Sequence, residues 1–378
     1  MEPKIRFKGF EGEWKAEELA HVCSVNRGVR VTRNDLHNNG IYPVYQNTDY
    51  PMGYYTKFNV ESNNPFVIVG GSAGLIGFCH TNFWAADDCV FFGDNPIINK
   101  SFLYNNLIFH KTEIKRNVRG ASVPRLDRET LRKLPVSIPS LPEQQEIASY
   151  FTSLDSQISA STSRLASLKQ MKSASLQAMF PQEGETVPKI RFKGFEGEWK
   201  KVKLGKLFSE RIENNVDGEM LSVTMNNGII KAAENGRFDN SNSDKSKYKV
   251  VKVGDIAYNS MRMWQGASGC SQYEGIVSPA YTVVVPNANI HSLFFAYLFK
   301  TIPMINLFRL HSQGLTKDTW NLKYPAFSII EVSYPESKAE QQAIASYFTS
   351  LDRQISLQSQ RLEKLKQIKS ACLDKMFV

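Results

Sequence analysis

Three short segments carry residue types that could perform chemistry. Residues 66–77, FVIVGGSAGLIG, form a strand candidate followed by a glycine-rich loop of the kind that can bind phosphate. The loop lacks the GK[ST] of a phosphate-binding loop and its glycines miss GxGxxG, so a tight turn is the better interpretation. Asn64-Pro65-Phe66 lacks one proline of the NPP[FY] loop of adenine methyltransferases, and Glu113-Ile114-Lys115 with Asp94 matches only the end of a nuclease motif. The sequence therefore predicts no convincing catalytic centre.

Basic side chains form more informative clusters. Arg27, Arg30 and Arg33 are three residues apart and could share one face of a helix or turn. Residues 111–133 are rich in arginine and lysine, and residues 245–252 carry regularly spaced lysines. Arginine pairs with guanine and asparagine with adenine, so these side chains could contact DNA, although a solvated surface is the alternative for any single one. The candidate DNA-binding residues are Arg27, Arg30, Arg33, Lys115, Arg116, Arg119, Lys245, Lys247, Asn259, Arg262 and Lys317.

The composition is that of a folded globular protein. Of the 378 residues, 42% are hydrophobic and 22% are charged. The net charge of +9 suggests a polyanionic partner. Five cysteines without CxxC spacing argue against a disulfide framework and a structural zinc site. Because no apolar run is long enough to cross a membrane and the N-terminus has no apolar signal, we expect a cytoplasmic protein.

An internal repeat organises the chain. Residues 4–15, KIRFKGFEGEWK, recur unchanged at 189–200, and we call these two copies the entry motifs. Of the 38 positions from 143 to 180, 26 are identical to those 197 residues later. Between these conserved parts lie the variable segments 16–140 and 201–336, which show little similarity to each other. Conserved ends around different inserts indicate one scaffold that holds two different recognition modules.

Both closing segments are predicted to be long helices. Ser140 with Glu143, and Ser337 with Glu340, fit the S-x-x-E capping box. Apolar residues then follow in alternating steps of four and three, which is the pattern of a coiled-coil seam. Ser161 and its counterpart Gln358 interrupt the pattern, either as polar seam residues or as solvent-facing ones. The seam positions are Ile147, Phe151, Leu154, Ile158, Leu165, Leu168 and Met179, with Ile344, Phe348, Leu351, Ile355, Leu362, Leu365 and Met376 in the second copy.

The length of the linker predicts that these helices are antiparallel. A helix of 38 residues is roughly 57 Å long. The eight residues of the linker 181–188 span at most about 28 Å. The second variable segment must therefore begin near the far end of the first helix, and the second helix must run back.

Both variable segments are predicted to be α+β. Each opens with a short helix, after Trp14 and after Trp199, and helices are expected at 101–110 and 291–300. The strand candidates are Tyr42–Tyr45, Phe66–Val69, Ile76–Cys79, Cys89–Phe92, Met220–Thr224, Asp255–Asn259 and Tyr281–Val285.

With these motifs the chain resembles the specificity (S) subunits of type I restriction-modification systems. The entry motif PKIRFKGFEGEW at 3–14 and 188–199 is similar to the start of each target-recognition domain of that family. LPEQQEIASYFTSLD at 141–155 and its copy resemble the paired conserved regions. The loops that begin at Gly120 and Gly314 resemble the family's loop before the closing strand.

The resemblance implies a non-catalytic subunit of a DNA-methylating complex. Two target-recognition domains would dock on double-stranded DNA, and an antiparallel coiled coil would fix their separation. The chain would bind no cofactor itself; two methyltransferase subunits would carry S-adenosylmethionine, and two motor-nuclease subunits would use ATP and magnesium. The predicted parts are residues 1–140 (first recognition domain), 141–180 (central conserved helix), 181–188 (linker), 189–337 (second recognition domain) and 338–378 (C-terminal conserved helix).

Two dissimilar recognition domains predict an asymmetric, bipartite DNA site with an unread spacer of fixed length. Two alternatives stay open at this point. The chain could be a catalytic DNA-processing enzyme, which would turn over alone when cofactor and metal are supplied. It could also be a structural adaptor without sequence specificity, which would bind all duplexes equally.

Overall fold

The computed structural model describes residues 2–36, 39–225, 227–235 and 244–378. The chain divides into two units. Unit 1 consists of Met1–Ser163 with Ser359–Val378, and unit 2 of Arg164–Gln358. Both boundaries fall inside the closing segments, so each unit combines one entry motif, one variable segment and parts of both closing segments.

Unit 1 is built on an antiparallel sheet of four strands with the order β2-β8-β5-β6. A second sheet, β4-β3-β7, packs beside it, and β1 pairs with β9. The elements are β1 (Lys15–Glu18), α1 (Leu19–Val22), β2 (Val25–Arg27), β3 (Tyr42–Tyr45), β4 (Gly53–Tyr55), β5 (Asn64–Ile68), β6 (Ile76–Cys79), β7 (Trp84–Ala85), β8 (Cys89–Phe92), α2 (Lys100–Phe109), α3 (Lys111–Arg116), α4 (Arg128–Arg132), β9 (Pro135–Ile138) and α5 (Leu141–Ala178).

Unit 2 repeats this arrangement. Its four-stranded antiparallel sheet has the order β11-β18-β15-β16, and β10 pairs with β19. Two small pairs, β12-β13 and β14-β17, replace the three-stranded sheet. The elements are β10 (Lys200–Lys203), α6 (Leu204–Leu207), β11 (Phe208–Glu210), β12 (Leu221–Thr224), β13 (Gly228–Lys231), β14 (Lys249–Val251), β15 (Ile256–Asn259), β16 (Ser268–Cys270), β17 (Gly275–Val277), β18 (Tyr281–Pro286), α7 (Ser292–Leu298), α8 (Ile302–His311), α9 (Tyr324–Ser328), β19 (Glu331–Tyr334) and α10 (Lys338–Met376).

The two variable segments thus share one α+β fold despite their different sequences. The predicted strands and the helices before the closing regions are present, with ends that agree to within two residues. The short helix predicted after each Trp is present as α1 and α6, but a strand, β1 or β10, comes before it. Lys15 pairs with Ile138 and Lys200 with Tyr334. This pairing with a distant strand leaves no local hydrophobic pattern.

An aromatic cluster in each unit includes the end of a closing helix. In unit 1, the ring of Phe377 lies 5.3 Å from Phe102 and 5.9 Å from Phe151. In unit 2, Phe180 lies 5.5 Å from Phe294 and 5.8 Å from Phe348. Phe377 and Phe180 are both buried. Burying one such side chain contributes about 1.5–3 kcal/mol, so these residues fasten a helix end to each recognition module.

Within each unit, segments of α5 and α10 pack antiparallel. In unit 1, Lys369 Nζ lies 2.6 Å from Asp155 Oδ1, and Cys372 lies near Tyr150. Since the number rises on one helix while it falls on the other, the segments run in opposite directions. In unit 2 the same arrangement is made by Lys172 with Asp352 and by Ser175 with Tyr347. The fold predicted for the closing segments is therefore confirmed.

Most predicted seam positions are buried or half-buried. Ser161 is buried and Gln358 is half-buried, so these polar residues lie on the seam side of their helices. In the described part of the chain, no single helix is both long and apolar enough to cross a membrane. The pair α7 and α8, bent by 82°, passes the same test by length and composition, but several of its aromatic side chains lie in the core of unit 2.

Candidate nucleic-acid interface

In unit 1, the end of β2 and the loop after α3 carry basic side chains that contact the adjacent residues Asp87 and Asp88. Arg27 Nε donates a hydrogen bond to Asp87 O at 2.8 Å. Arg125 Nη1 lies 3.0 Å from Asp88 Oδ1. Because Asp87 and Asp88 are adjacent, the end of β2 and the loop that contains Arg125 meet at the same place.

The glycine-rich segment is the tight turn between β5 and β6 that the sequence predicts. Gly71 and Gly74 have φ of +77° and +82°, which favours glycine. Gly71 N donates to Pro124 O at 3.1 Å. A Cβ on Gly74 would lie 3.4 Å from Lys115 Cγ. The turn therefore packs against α3 and against the loop that follows it, which places Lys115 beside the Arg125 loop.

Five of the predicted residues of unit 1 have exposed side chains that are free for a ligand. They form no side-chain hydrogen bond or ion pair with any other residue that the structure describes. Phosphate oxygens would be suitable acceptors for such cations. Arg27 is in a strand and Arg33 begins a 3₁₀ turn, so the predicted common face of Arg27, Arg30 and Arg33 is not formed. The five residues are Arg30, Arg33, Lys115, Arg116 and Arg119.

In unit 2, the regularly spaced lysines divide into two groups. Lys249 Nζ lies 3.5 Å from Glu210, and Lys252 Nζ lies 3.2 Å from Glu213. These two lysines are largely neutralised. Lys245 is half-buried and Lys247 is exposed, and neither forms an ion pair within the described part of the chain.

The segment after β15 is folded into a turn. Asn259 Oδ1 accepts a hydrogen bond from Met261 N at 3.0 Å, so its amide oxygen is engaged within the protein. Arg262 is exposed and begins the 3₁₀ turn Met263–Gln265. Of this predicted pair, Arg262 is therefore the side chain that is fully available to a ligand.

A closed loop lies at the equivalent place in each unit. In unit 1, Arg119 and Arg125 exchange two backbone hydrogen bonds of 2.8 Å and close the loop 120–124. In unit 2, Gln313 and Asn321 exchange bonds of 3.0 and 2.8 Å and close the loop 314–320, which contains Lys317.

The same backbone contact fixes each loop. Leu126 N donates to Val69 O just after β5, and Leu322 N donates to Ser260 O just after β15. Because β5 and β15 are the equivalent strands of the two sheets, the two loops occupy equivalent positions although their sequences differ. Each loop carries at least one exposed predicted cation at its base or tip, Arg119 in unit 1 and Lys317 in unit 2.

An ion pair that the sequence analysis did not identify joins each entry motif to a closing helix. Arg6 binds both carboxylate oxygens of Glu143, at 2.7 and 2.8 Å. Arg191 binds Glu340 with the same two distances. Both carboxylates are 2% exposed. The glutamate of the predicted capping box thus binds an arginine, and the signal was present in the sequence, since both partners lie in repeated motifs.

The glutamine that follows each of these glutamates in the EQQ motif also forms structural hydrogen bonds. Gln144 Oε1 accepts from Asn99 N, and its Nε2 donates to Ile97 O and Pro139 O. Gln341 likewise accepts from His291 N and donates to Pro335 O. Each glutamine thus ties the segment before α2 or α7 to the first turn of the closing helix.

The enzyme-like motifs take part in structural contacts. Glu113 Oε2 lies 3.0 Å from His110 Nδ1. Asn64 is buried, and its Nδ2 donates to Phe92 O at 3.0 Å. Among the described residues there is no group of three or more His, Cys, Asp or Glu side chains that could hold a metal ion. Exposed basic side chains occur on both units among the described residues.

Comparison with protein families shows which family the chain belongs to. The model of the type I restriction modification DNA specificity domain matches the chain twice, at residues 11–170 and 196–367. The chain belongs to this DNA specificity family. Each match includes an entry motif, in part, a variable segment and most of a closing helix, so the repeat deduced from the sequence is the repeat of the family domain.

Individual relatives are distant in sequence. The MjaVIII specificity subunit of Methanocaldococcus jannaschii is 23% identical over 229 residues, which are 54% of this chain and 53% of the relative. The chain thus spans about half the length of that relative. A type I specificity subunit of Mycoplasma genitalium is 19% identical over 394 aligned residues, covering 100% of this chain and 97% of the relative.

Solved structures of the family share the fold. A crystal structure of the S subunit from M. genitalium covers 100% of this chain with a TM-score of 0.68 and 16% identity, and 99% of that subunit is covered. A chain from a structural study of complex assembly in a type I system has a TM-score of 0.50 and 15% identity, covering 97% of this chain and 98% of the other. The specificity-subunit fold predicted from the sequence is therefore confirmed.

Proposed function

We propose that this specificity subunit reads the two halves of an asymmetric, bipartite DNA site, one half with each unit. The observation that carries the proposal is the duplicated fold with unlike loops. The sheet order, the Arg–Glu pair and the glutamine contacts recur in both units, whereas the loops that carry the free basic residues differ. Two modules with different loops would recognise different sequences.

Affinity and sequence choice would come from different side chains. Phosphate contacts supply most of the affinity of DNA-binding proteins, and base contacts supply the specificity. Exposed, unpaired arginines such as Arg116 and Arg119 suit the phosphates of the first half-site. Lys247, Arg262 and Lys317 would serve the second. An arginine that instead binds guanine would contribute about 1–3 kcal/mol of discrimination at one position.

The closing helices would set the gap between the half-sites. Because the helices have a fixed length, the spacer between the half-sites would be constant in length and unread. A spacer longer by one helical turn of DNA would move the half-sites about 34–36 Å further apart. The chain would act without catalysis of its own. It would recruit two methyltransferase subunits that bind S-adenosylmethionine and, in a restriction complex, two motor-nuclease subunits that use ATP and magnesium, in the cytoplasm.

Single-molecule sequencing of adenine methylation tests this function. The DNA would come from cells that express this chain with its cognate methyltransferase subunit. We expect methylation in a split, asymmetric motif with a constant gap. Methylation of a continuous or palindromic motif would contradict the proposal of two unlike recognition units.

Two controls separate the alternatives. If the assembled complex binds matched and scrambled duplexes equally and methylates neither, the chain is an adaptor without sequence specificity. If the purified chain methylates or cleaves DNA alone, when S-adenosylmethionine, ATP and magnesium are supplied, it is an enzyme. We expect sequence-dependent binding by the complex and no turnover by the chain alone.

A further inference from the structure

We propose that the loop 314–320 of unit 2 inserts the side chain of Leu315 between two stacked base pairs of the bound duplex. The proposal rests on the proposed function, because it assumes that unit 2 binds DNA. It adds a specificity mechanism to that function. The site would be selected in part by how easily one of its base steps unstacks.

Leu315 is the tip of a loop that is held in shape. The side chain has 101% of its reference exposure, so no described residue of unit 2 covers it. A single exposed leucine is ordinary on a protein surface. This one lies between Gly314 and a turn in which Thr316 N donates to Thr319 Oγ1 and Thr319 N donates to Thr316 O.

Backbone constraints fix the base of the loop as well. Gly314 has φ of +149°, and a Cβ there would lie 2.6 Å from the backbone of Thr319. The two Gln313–Asn321 hydrogen bonds close the loop. A loop that is already ordered loses little conformational entropy when it binds, which is what an inserting side chain requires.

The surroundings of the loop indicate DNA as its partner. Trp320 packs edge-to-face on Trp264 at 5.3 Å, and Trp264 Nε1 donates to Met261 O, so Trp320 contacts the turn that also contains Arg262. Met261 is itself 40% exposed. Leu315 is thus an apolar tip two residues from the exposed Lys317, on a loop whose Trp320 contacts the turn that carries Arg262. Proteins that kink DNA combine basic side chains with an apolar wedge of this kind, and leucine is among the residues that they insert.

The equivalent loop of unit 1 is built differently. It has five residues, 120–124, instead of seven, and its exposed aliphatic side chain is the smaller Val123, at 56% exposure. Arg119 closes that loop and remains free of described ion pairs. We therefore assign the wedge to unit 2 alone, while the loop of unit 1 would contact phosphates.

The experiment uses 2-aminopurine, whose fluorescence rises when it is unstacked. The full chain is assembled with its methyltransferase subunit and bound to duplexes that contain the methylated motif found by sequencing. 2-Aminopurine replaces one base at a time across the half-site of unit 2, and also the target adenine. Base flipping by the methyltransferase would raise the signal at the target adenine independently of the loop.

We expect a several-fold rise at one further step in the wild-type complex. Leu315→Ala should lower it to the level of the free duplex, whereas the signal at the target adenine remains. The matched control is Leu310→Ala, because Leu310 is also exposed in unit 2 but lies on α8, and it should behave like the wild type.

Three results would overturn the wedge. The first is binding to the motif without a rise at any step other than the target adenine. The second is a rise that persists in Leu315→Ala. The third is a loss of the methyltransferase subunit from the Leu315→Ala complex, which would show that the loop contacts protein. If the complex does not prefer its motif to a scrambled duplex, the proposed function itself fails, and that result is measured separately by fluorescence anisotropy.

Discussion

The two units have the same fold and share few residues outside the repeats, and this contrast separates structural residues from recognition residues. Contacts that are identical in both units join the entry motif, the sheet and the closing helices. They include the Arg6–Glu143 and Arg191–Glu340 pairs and the rings of Phe377 and Phe180. The side chains that differ lie in the loops next to β5 and β15, which are held by equivalent backbone hydrogen bonds.

The difference teaches that recognition can change while the supporting contacts stay constant. In unit 1, α3 and the loop after it carry arginines and a lysine that form no ion pair with another described residue. Beside them, Asp87 and Asp88 bind other basic side chains. In unit 2, Lys249 and Lys252 pair with Glu210 and Glu213, and the loop tip exposes the larger aliphatic side chain of Leu315. Unit 1 would therefore bind DNA mainly through its cations, whereas unit 2 would also use an apolar loop tip.

The largest expected effect is the loss of stability when the equivalent buried ring of either unit is removed. Phe377→Ala and Phe180→Ala should each lower the free energy of unfolding of their own unit by about 3–5 kcal/mol, because each leaves a cavity in an aromatic cluster. Hydrogen exchange measured separately over unit 1 and unit 2 checks this. The control Met171→Ala removes a half-exposed side chain of α5 and should change stability by less than about 0.5 kcal/mol. Equal loss in both units from either variant would contradict the division into two units.

A second substitution should affect unit 2 alone. Asp255 is buried and binds Arg211 at 2.7 and 3.0 Å, whereas Arg27 at the equivalent strand end binds a backbone carbonyl. Asp255→Ala would leave Arg211 without its main partner and should destabilise unit 2 by about 3 kcal/mol. Asp88→Ala removes a partly exposed pair and should cost no more than about 1 kcal/mol in unit 1. Urea unfolding monitored by hydrogen exchange would measure the change in stability of each unit. Comparable losses of stability from Asp255→Ala and Asp88→Ala would contradict this prediction.

A pH dependence should also distinguish the units. Burial, with a smaller contribution from Lys172, lowers the pKa of Lys300 to about 8, and its Nζ donates to Met225 O and Gly266 O. The unfolded chain keeps this proton up to its ordinary pKa near 10.5, so it binds more protons than the folded chain between these values. The contribution of Lys300 to the stability of unit 2 should therefore rise with pH in that window.

Lys300→Met removes the titrating group and should flatten this rise. The measurement is the difference in unfolding free energy between wild type and variant from pH 7.5 to 10.5, which cancels the titration of all other groups. In unit 1 the turn after α2 carries the exposed Lys111 instead. A wild-type stability that falls relative to the variant over this range would contradict the assignment.

The smallest effects concern single phosphate contacts. Arg119→Ala in unit 1 and Lys247→Ala in unit 2 should each reduce the slope of log affinity against log salt by about 0.9, on matched and mismatched duplexes alike. Arg132→Ala is the control, because Arg132 pairs with Glu129 and should leave the slope unchanged. If Arg119→Ala instead relaxes specificity at one base pair, Arg119 contacts a base.

Much of the fold could be predicted from the sequence, because repeats and helical seams are local patterns. The strands β1 and β10 could not, since Lys15 pairs with Ile138 and Lys200 with Tyr334, far along the chain. The basic residues of the site could be listed from the sequence, but the residues that form ion pairs within the protein could not be distinguished from those that do not. That Lys249 is neutralised by Glu210, while Lys247 is exposed, depends on a contact between distant segments.

We expect the two recognition segments of the duplicated fold to be interchangeable. The direct measurement is the methylation motif of a chain in which residues 16–140 are replaced by a second copy of 201–336, between the unchanged entry motif and closing helix. The account predicts an inverted repeat of the second half-site with the original gap. Persistence of the original asymmetric motif, or loss of methylation in a complex that still assembles, would contradict it.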